Sequence, residues 1–175
     1  MAHVIEGNYS GKDLSIGIVV SRFNEFVTKS MLEGALNELR RAGTSETSIT
    51  VTWVPGAYEI PLACQTLAQM KTPDALIAIG CIIRGETTHY EHLAQTVCDG
   101  LQKVALDSNM PIGFGIITVE NMAQAMDRAG GKQGNKGRDA ARSALEMIHL
   151  IRELKRTSAS EVAIQELMTR EFEKK

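Results

Sequence analysis

The sequence predicts an α/β protein, a three-layer sandwich in which a parallel, four-stranded sheet lies between two layers of helices. Short β-branched segments alternate regularly with longer segments of helical periodicity along the chain. One short segment, residues 74–83 (DALIAIGCII), is apolar at both alternating positions, as in a strand buried on both faces. A helix separates each pair of successive strands, as in the right-handed crossovers that join parallel strands.

The first strand is followed directly by a helix. Residues 14–21 (LSIGIVVS) are rich in β-branched side chains and bounded by turn residues, which predicts a strand. Apolar side chains then recur at helical spacing over residues 25–42, and Arg40 and Arg41 precede Gly43. Basic residues followed by glycine are typical of a helix end, so we expect the helix to stop there.

The second strand is predicted at residues 49–54, where threonines alternate with apolar side chains. The chain then turns at Pro55 and Gly56 into a helix that ends near Met70. Pro61 is tolerated only in the first turn of that helix, where its missing N–H donor would have no helical partner.

Two further strands, at residues 74–83 and 111–119, complete the predicted sheet. Helices at residues 121–129 and 135–156, joined by a glycine-rich turn, follow the last strand. The long helix between the third and fourth strands carries one apolar stripe, formed by Tyr90, Leu93, Ala94, Val97, Leu101, Val104 and Ala105.

The domain is expected to end at residue 156, with residues 157–175 as a helical C-terminal extension. Ser158 and Glu161 have the spacing of a capping box that would begin a separate helix. The apolar side chains of the extension fall roughly on one helical face, at Ile164, Leu167, Met168 and Phe172.

Composition excludes several classes of protein. The chain has 175 residues, 43% of them hydrophobic, and a net charge of −2, which is ordinary for one globular domain. A general nucleic-acid surface would need a basic excess, and a membrane span would need about twenty apolar residues in a row. The first fifteen residues contain no apolar segment of a secretory signal, so we expect a cytoplasmic protein.

No metal site is expected. The three cysteines, Cys64, Cys81 and Cys98, are widely spaced and form no CxxC pair. Their neighbours are apolar, so we interpret them as small core residues. His89 and His92 are close in sequence, but the segment lacks the further ligands that a metal site requires.

Three loops at the predicted carboxyl ends of strands carry the candidate site. They are residues 21–24 (SRFN), 55–59 (PGAYE) and 84–89 (RGETTH). Ligands of open parallel sheets bind at this edge. The loops combine aromatic rings, a carboxylate, a histidine and glycines, which indicates a pocket for a polar, flat, ring-containing ligand.

Each candidate also has a structural interpretation. Phe23 beside a strand end is as often a core side chain as a stacking surface. Glu59 lies in a first helical turn, where acids interact with the helix dipole. His89 also lies at a helix start, where it serves equally as a solvated neighbour of the cap or, because imidazole titrates near neutrality, as a proton acceptor. Residues 84–88 resemble an anion cradle at a helix N-terminus, but helix starts are common.

Nucleotide sites are not indicated. No GxGxxG motif follows the first strand, and residues 130–137 (GGKQGNKG) lack the spacing of a phosphate-binding loop. Those residues are interpreted either as a flexible connection between helices or as a basic loop beside an anion, with Arg128 and Lys136 as its charges.

Five segments, taken in this order, resemble the lumazine synthase family. They are SRFN at 21–24, VPGAYEIP at 54–61, GCIIRGETTHYEH at 80–92, FGIITVEN at 114–121 and RAGGKQGNKGRDAARSALEM at 128–147. The resemblance implies a flavodoxin-like sandwich and condensation of 5-amino-6-(D-ribitylamino)uracil with 3,4-dihydroxy-2-butanone 4-phosphate. The product is 6,7-dimethyl-8-ribityllumazine, formed with release of phosphate and water and without a cofactor or metal. This reaction is the penultimate step of riboflavin biosynthesis.

The resemblance also implies site residues. His89 would transfer protons, and Phe23 would stack on the pyrimidine ring. The remaining substrate-binding positions would be Ala57, Tyr58, Glu59, Cys81, Ile82, Ile83, Glu86, Thr87, Phe114, Arg128 and Lys136. Arg128 would hold the phosphate with Lys136 nearby, and the acidic Glu86 fits a phosphate cradle only if its side chain points away.

The family forms pentameric rings, and in some members twelve rings close into an icosahedral capsid. A homo-oligomer is therefore expected, and the sequence leaves open whether it is a pentamer, a decamer or a shell. Riboflavin synthase is a candidate partner.

Two other functional classes remain for comparison: a shell protein that has lost the reaction, and a flavodoxin-like electron carrier. The carrier needs a phosphate loop after the first strand, which SRFNEF does not supply.

Simple lengths predict that each site is shared between adjacent subunits. Phe114 precedes the end of its strand at Val119 by roughly 16 Å at strand rise. Arg128 lies about 10 Å along a helix that returns from Asn121 toward the opposite edge. Both residues are therefore poorly placed for their own chain's pocket and better placed for a neighbour's.

Overall fold

The sheet lies between two layers of helices, three helices on one face and two on the other. This computed structural model describes the backbone of residues 2–172 and the side chains of residues 2–157. The strands are β1 Ile16–Ser21, β2 Ile49–Val54, β3 Ala75–Ile83, β4 Ile112–Val119, β5 Ala129–Gly131 and β6 Gly134–Asn135. The helices are α1 Glu25–Arg41, α2 Ile60–Gln69, α3 His89–Ser108, α4 Met122–Arg128 and α5 Lys136–Phe172. Single 3₁₀ turns occupy Glu46–Ser48 and Ala57–Glu59.

The main sheet has four parallel strands in the order β2-β1-β3-β4, which confirms the predicted α/β sandwich. This order matches the first four strands of flavodoxin-like sheets. β3 is central and is buried at every position except its last, as its uninterrupted apolar sequence predicts. Because all four strands run the same way, their carboxyl ends meet at one edge.

Two apolar clusters hold the layers together, one on each face of the sheet. The first joins β1 and β3 to α1, α4 and α5 through side chains such as Ile18, Ile77 and Leu145. The second joins the same strands to α2 and α3 through side chains such as Leu76 and Leu101. Successive residues of β3 point to opposite faces, so a single strand supplies both clusters.

Local sequence signals predicted most helix ends correctly. Pro61 lies in the first turn of α2, and Gly43 follows α1 with a φ of 91°, a conformation in which glycine is favoured. The glycine-rich turn differs from its interpretation as a flexible connection, because β5 and β6 form an antiparallel hairpin. Asn135 stabilises it by donating to the carbonyls of Ser30 and Ala129 and accepting from the amides that begin α5.

The capping box proposed at Ser158 is wrong as a helix start, because the backbone of α5 continues through this position to Phe172. Residues 173–175 of the predicted extension lie outside the described residues. Among the described residues, no helix is long and apolar enough to cross a membrane.

A truncation after Arg156 is expected to leave catalytic activity unchanged. α5 is attached to the domain upstream of that point, by an ion pair between Arg152 and Asp74 at 2.7 Å and a hydrogen bond between His149 and the Ser10 carbonyl. The measurement compares specific activity and particle size of the full and truncated chains. Lost activity in a particle of unchanged size would show that the extension contributes to the site.

Gly137→Ala is expected to lower the free energy of unfolding by about 1–3 kcal/mol, the usual cost of overpacking. A Cβ at Gly137 would collide with the backbone carbonyl of Met31, where α5 crosses α1. This collision outweighs the roughly 1 kcal/mol by which alanine favours a helix. Urea unfolding measures the change, and Gly85→Ala is the control because a Cβ there meets nothing within 4 Å. Equal stability of the two variants would contradict the close packing of α1 on α5.

Candidate active site

A cavity of about 550 Å³ lies at the carboxyl edge of the sheet, where the sequence predicts the site. Segments from all three predicted loops contribute to it. Its lining residues are Phe23, Gly56, Ala57, Tyr58, Cys81, Ile82, Ile83, Gly85, Thr87, His89, Tyr90 and Leu93.

The loop after β1 presents Phe23 to solvent. The ring is 71% exposed, so the interpretation of Phe23 as a core side chain is wrong. The buried Thr28 hydroxyl helps to fix this loop by donating to the Ser21 carbonyl at 2.8 Å. Asn24 adopts a left-handed backbone conformation and donates its side-chain amide to the Cys81 carbonyl. An exposed ring on a fixed loop can stack on a flat ligand.

The loop after β2 contributes one buried and one exposed side chain. Ala57 is buried and Tyr58 is 64% exposed. Glu59 does not line the cavity within this chain, since its Oε2 accepts a hydrogen bond from the Gly56 amide at 2.9 Å. One carboxylate oxygen of Glu59 therefore has a structural role as a capping interaction, where the sequence had suggested an interaction with the helix dipole as the structural alternative.

The end of β3 and the following loop form the rest of the wall. Cys81 and Ile82 are buried strand residues, whereas Thr87 and His89 are exposed and line the cavity. His89 is the first residue of α3. Glu86 is exposed and is not a lining residue.

Four of the lining residues are not among the site residues that the sequence predicts. Gly56 and Gly85 belong to the predicted loops but carry no side chain that would single them out. Tyr90 and Leu93 were placed on the apolar stripe of α3, and they do pack partly against the core. Their spacing of three residues places them on one helical face just after His89, which is the signal that could have identified them.

Phe114, Arg128 and Lys136 do not line this cavity. Phe114 pairs with Ala78 on β3, three residues before Cys81. Arg128 ends α4 and donates to the Gln124 carbonyl. Lys136 begins α5 and forms an ion pair with Asp139 at 2.9 Å.

Arg128 also lies on the other side of the sheet from the helical wall of the cavity. Ala125 and Ala129, which flank it, belong to the core cluster of α1 and α5. Ala57 and Leu93 of the cavity pack in the cluster of α2 and α3. Within one chain, the sheet therefore separates this arginine from the wall that α3 forms.

A larger groove of about 830 Å³ runs along α2 and α3, lined by residues such as Leu62, Gly100 and Met110. It lies on helix surfaces rather than at the strand ends, and His89 does not line it. The smaller cavity is therefore the candidate active site. Within the described part of the chain, no cluster of three or more His, Cys, Asp or Glu side chains could hold a metal ion.

The cysteine thiols are expected to react slowly in the folded protein. Burial raises the pKa of Cys64 to about 12 and that of Cys81 to about 11, and the pKa of the partly buried Cys98 is also raised, chiefly by burial. The reactive thiolate is therefore scarce at pH 8, about one Cys81 molecule in a thousand. Labelling with Ellman's reagent should modify Cys98 first, and all three thiols only after unfolding in guanidinium. Fast labelling of Cys64 in the folded protein would contradict its burial.

The cavity thus combines an exposed aromatic ring, strand-end backbone groups, the hydroxyl of Thr87 and an exposed imidazole. Such a site can hold a flat heterocycle and move protons near neutral pH. A family model described as 6,7-dimethyl-8-ribityllumazine synthase matches residues 13–152, which include every segment that forms the cavity. The match ends within α5. The chain therefore belongs to the 6,7-dimethyl-8-ribityllumazine synthase family, transferases of riboflavin biosynthesis.

Proposed function

We propose that the protein condenses 5-amino-6-(D-ribitylamino)uracil with 3,4-dihydroxy-2-butanone 4-phosphate to give 6,7-dimethyl-8-ribityllumazine, phosphate and water. The observation that carries the proposal is the position of Phe23, Thr87 and His89 around one cavity within the family match. The amine attacks the ketone and forms an imine with loss of one water, and phosphate then leaves by elimination. The second nitrogen attacks the remaining carbonyl and closes the ring with loss of a second water.

His89 is the proposed proton-transfer residue, because each of these steps moves a proton and an imidazole can both accept and donate one. Phe23 stacks on the pyrimidine ring. Backbone groups of Cys81, Ile82 and Ile83 bind the heterocycle, and Ala57, Tyr58 and Glu59 bind the ribityl chain. One carboxylate oxygen of Glu59 serves this role, while the other accepts the hydrogen bond from the Gly56 amide. Holding both reactants in one cavity supplies much of the rate.

The phosphate is bound by Thr87, by the backbone of Glu86, and by Arg128 with Lys136 nearby. A bidentate arginine suits a departing phosphate because its charge and planar donors match the oxygens. Phe114 closes the aromatic side of the site. Since Phe114, Arg128 and Lys136 do not line the cavity of their own chain, we propose that a neighbouring subunit of a ring supplies them. Four further points stay predictions: the pentamer, its assembly into larger particles, a riboflavin synthase partner and the cytoplasmic location.

The direct test incubates the purified protein with both substrates and follows the absorbance and fluorescence of the lumazine product. Product should form only when protein and both substrates are present, and equally well in excess EDTA. Light scattering on the same sample gives the particle size. A correctly assembled protein that forms no product would contradict the proposal and favour a non-catalytic shell protein.

A further inference from the structure

The loop that carries the candidate catalytic histidine makes few contacts of its own. Residues 84–89 are exposed at every position. Within the described part of the chain, the side chains of Glu86, Thr87 and His89 form no hydrogen bond or ion pair. The glycine at position 85 adds backbone freedom. A loop of this kind is held in place by its two ends.

One side chain joins the two ends of this loop. Arg84, its first residue, continues the β3–β4 ladder by donating its amide to the Val119 carbonyl at 2.9 Å. Its guanidinium lies 5.6 Å from the ring centre of Tyr90, which directly follows His89. This distance is within the range of a cation–π contact. The residues just before and just after the segment 85–89 are thereby in contact.

A second element fixes the guanidinium itself. Arg84 Nη1 donates to Glu120 Oε2 at 2.9 Å, and Glu120 follows β4 at the same edge of the sheet. The Glu120 amide donates in turn to the side chain of Gln124 on α4. Its pairing with Glu120 leaves Arg84 less available as a ligand for a phosphate. The geometry favours a role in placing the loop over a role in binding the substrate.

Tyr90 transmits this placement to the cavity. Its ring lines the cavity beside His89, and its hydroxyl donates to Glu91 at 3.1 Å. Burial, with this hydrogen bond as the next cause, raises the pKa of Tyr90. Tyr90 and His89 are successive residues at the start of α3, so a shift of the ring moves the imidazole with it.

We propose that Arg84 is a positioning residue, which holds His89 and Thr87 in register with the cavity through its contacts with Tyr90 and Glu120. The proposal rests on the proposed function of this site. It predicts that the planar guanidinium matters as well as the charge. Lysine could pair with Glu120 but could not also lie as a planar group over the ring.

The test measures kcat and both KM values for R84Q and R84K. R84Q is expected to lower kcat by about tenfold or more, since small misplacements of a catalytic group are costly. The KM of the phosphate substrate should rise with it, because Thr87 moves, while the KM of the ribitylaminouracil changes less than about twofold. R84K should recover part of the loss. An unchanged kcat in R84Q would overturn the proposal.

A control variant separates positioning from general loss of stability. R40Q removes a comparable exposed arginine–glutamate pair, Arg40 with Glu46 at 2.7 Å, at the opposite edge of the sheet. Exposed pairs of this kind contribute little to stability. R40Q should leave kcat and both KM values unchanged. If R40Q and R84Q lose activity equally, Arg84 has no special role.

A double-mutant cycle decides whether Arg84 acts through His89. In the H89A background, R84Q should cause only a small further loss of kcat, because the residue that it positions is gone. The same fold-loss in both backgrounds would overturn the proposal. Activity of the unmodified protein is the reference: if it forms no lumazine, the proposed function fails, whereas an active protein with an unaffected R84Q variant contradicts this inference alone.

Discussion

Replacing His89 with alanine is expected to lower turnover by about ten- to ten-thousandfold, the range of general acid–base catalysis, while both KM values change little. His89 is an exposed imidazole on the cavity wall, and within the described residues its side chain forms no hydrogen bond or ion pair that the mutation would break. The loss should therefore fall on the chemical steps and not on folding. Steady-state kinetics with each substrate varied in turn measures it.

His92 offers a matched control for this experiment. It lies on the same helix, is also exposed, and does not line the cavity. H92A should therefore keep normal turnover. Unchanged turnover in H89A would remove His89 from the mechanism, and equal losses in H89A and H92A would point to a general effect on α3.

A mixture of two inactive variants, H89A and R128A, is expected to recover activity when the variants assemble into the same rings. If a neighbour supplies Arg128, a site can combine the intact His89 of one chain with the intact Arg128 of the next. Random mixing of equal amounts gives about one such site in four. The structure supports the expectation, since Arg128 lies across the sheet from the α3 wall of its own cavity.

The experiment unfolds the two variants together, reassembles them, and compares activity with each variant treated alone. The control mixes H89A with the double variant H89A/R128A, in which no pairing can restore a complete site. Recovery well above both parents, and its absence in the control, supports the shared site. Verified mixed rings that stay as inactive as the parents would contradict it, and Arg128 would then have to act within its own chain.

Structural features that depend on residues close together in the sequence were predicted most accurately. The uninterrupted apolar sequence of β3, the helix end at Gly43 and the place of Pro61 all depend on neighbouring residues, and the structure has each as expected. The location of the cavity followed from the same patterns, because parallel strands bring their carboxyl ends to one edge. The wrong helix start at Ser158 also has a local origin, because the spacing of a capping box occurs there inside a continuous helix.

The exposure and partners of the site residues required the tertiary structure. Phe23 is exposed on a loop that Asn24 fixes by donating to the carbonyl of Cys81, which is distant in sequence. Periodicity could not distinguish this arrangement from a core position. Glu59 accepts from Gly56, so one of its oxygens has a structural role. The glycine-rich segment is a hairpin because Asn135 bonds to Ser30, which is far away in sequence.

By itself the sequence determined the layered α/β fold, the edge at which the cavity lies and the family to which the chain belongs. The fold, the cavity edge and the family depend on periodicity, strand direction and the order of motifs, all of which can be read along the amino-acid sequence. Only the tertiary structure decided that Arg84 meets Glu120 and Tyr90. Contacts between residues distant in sequence depend on which elements pack together and in what register, and local patterns do not encode them.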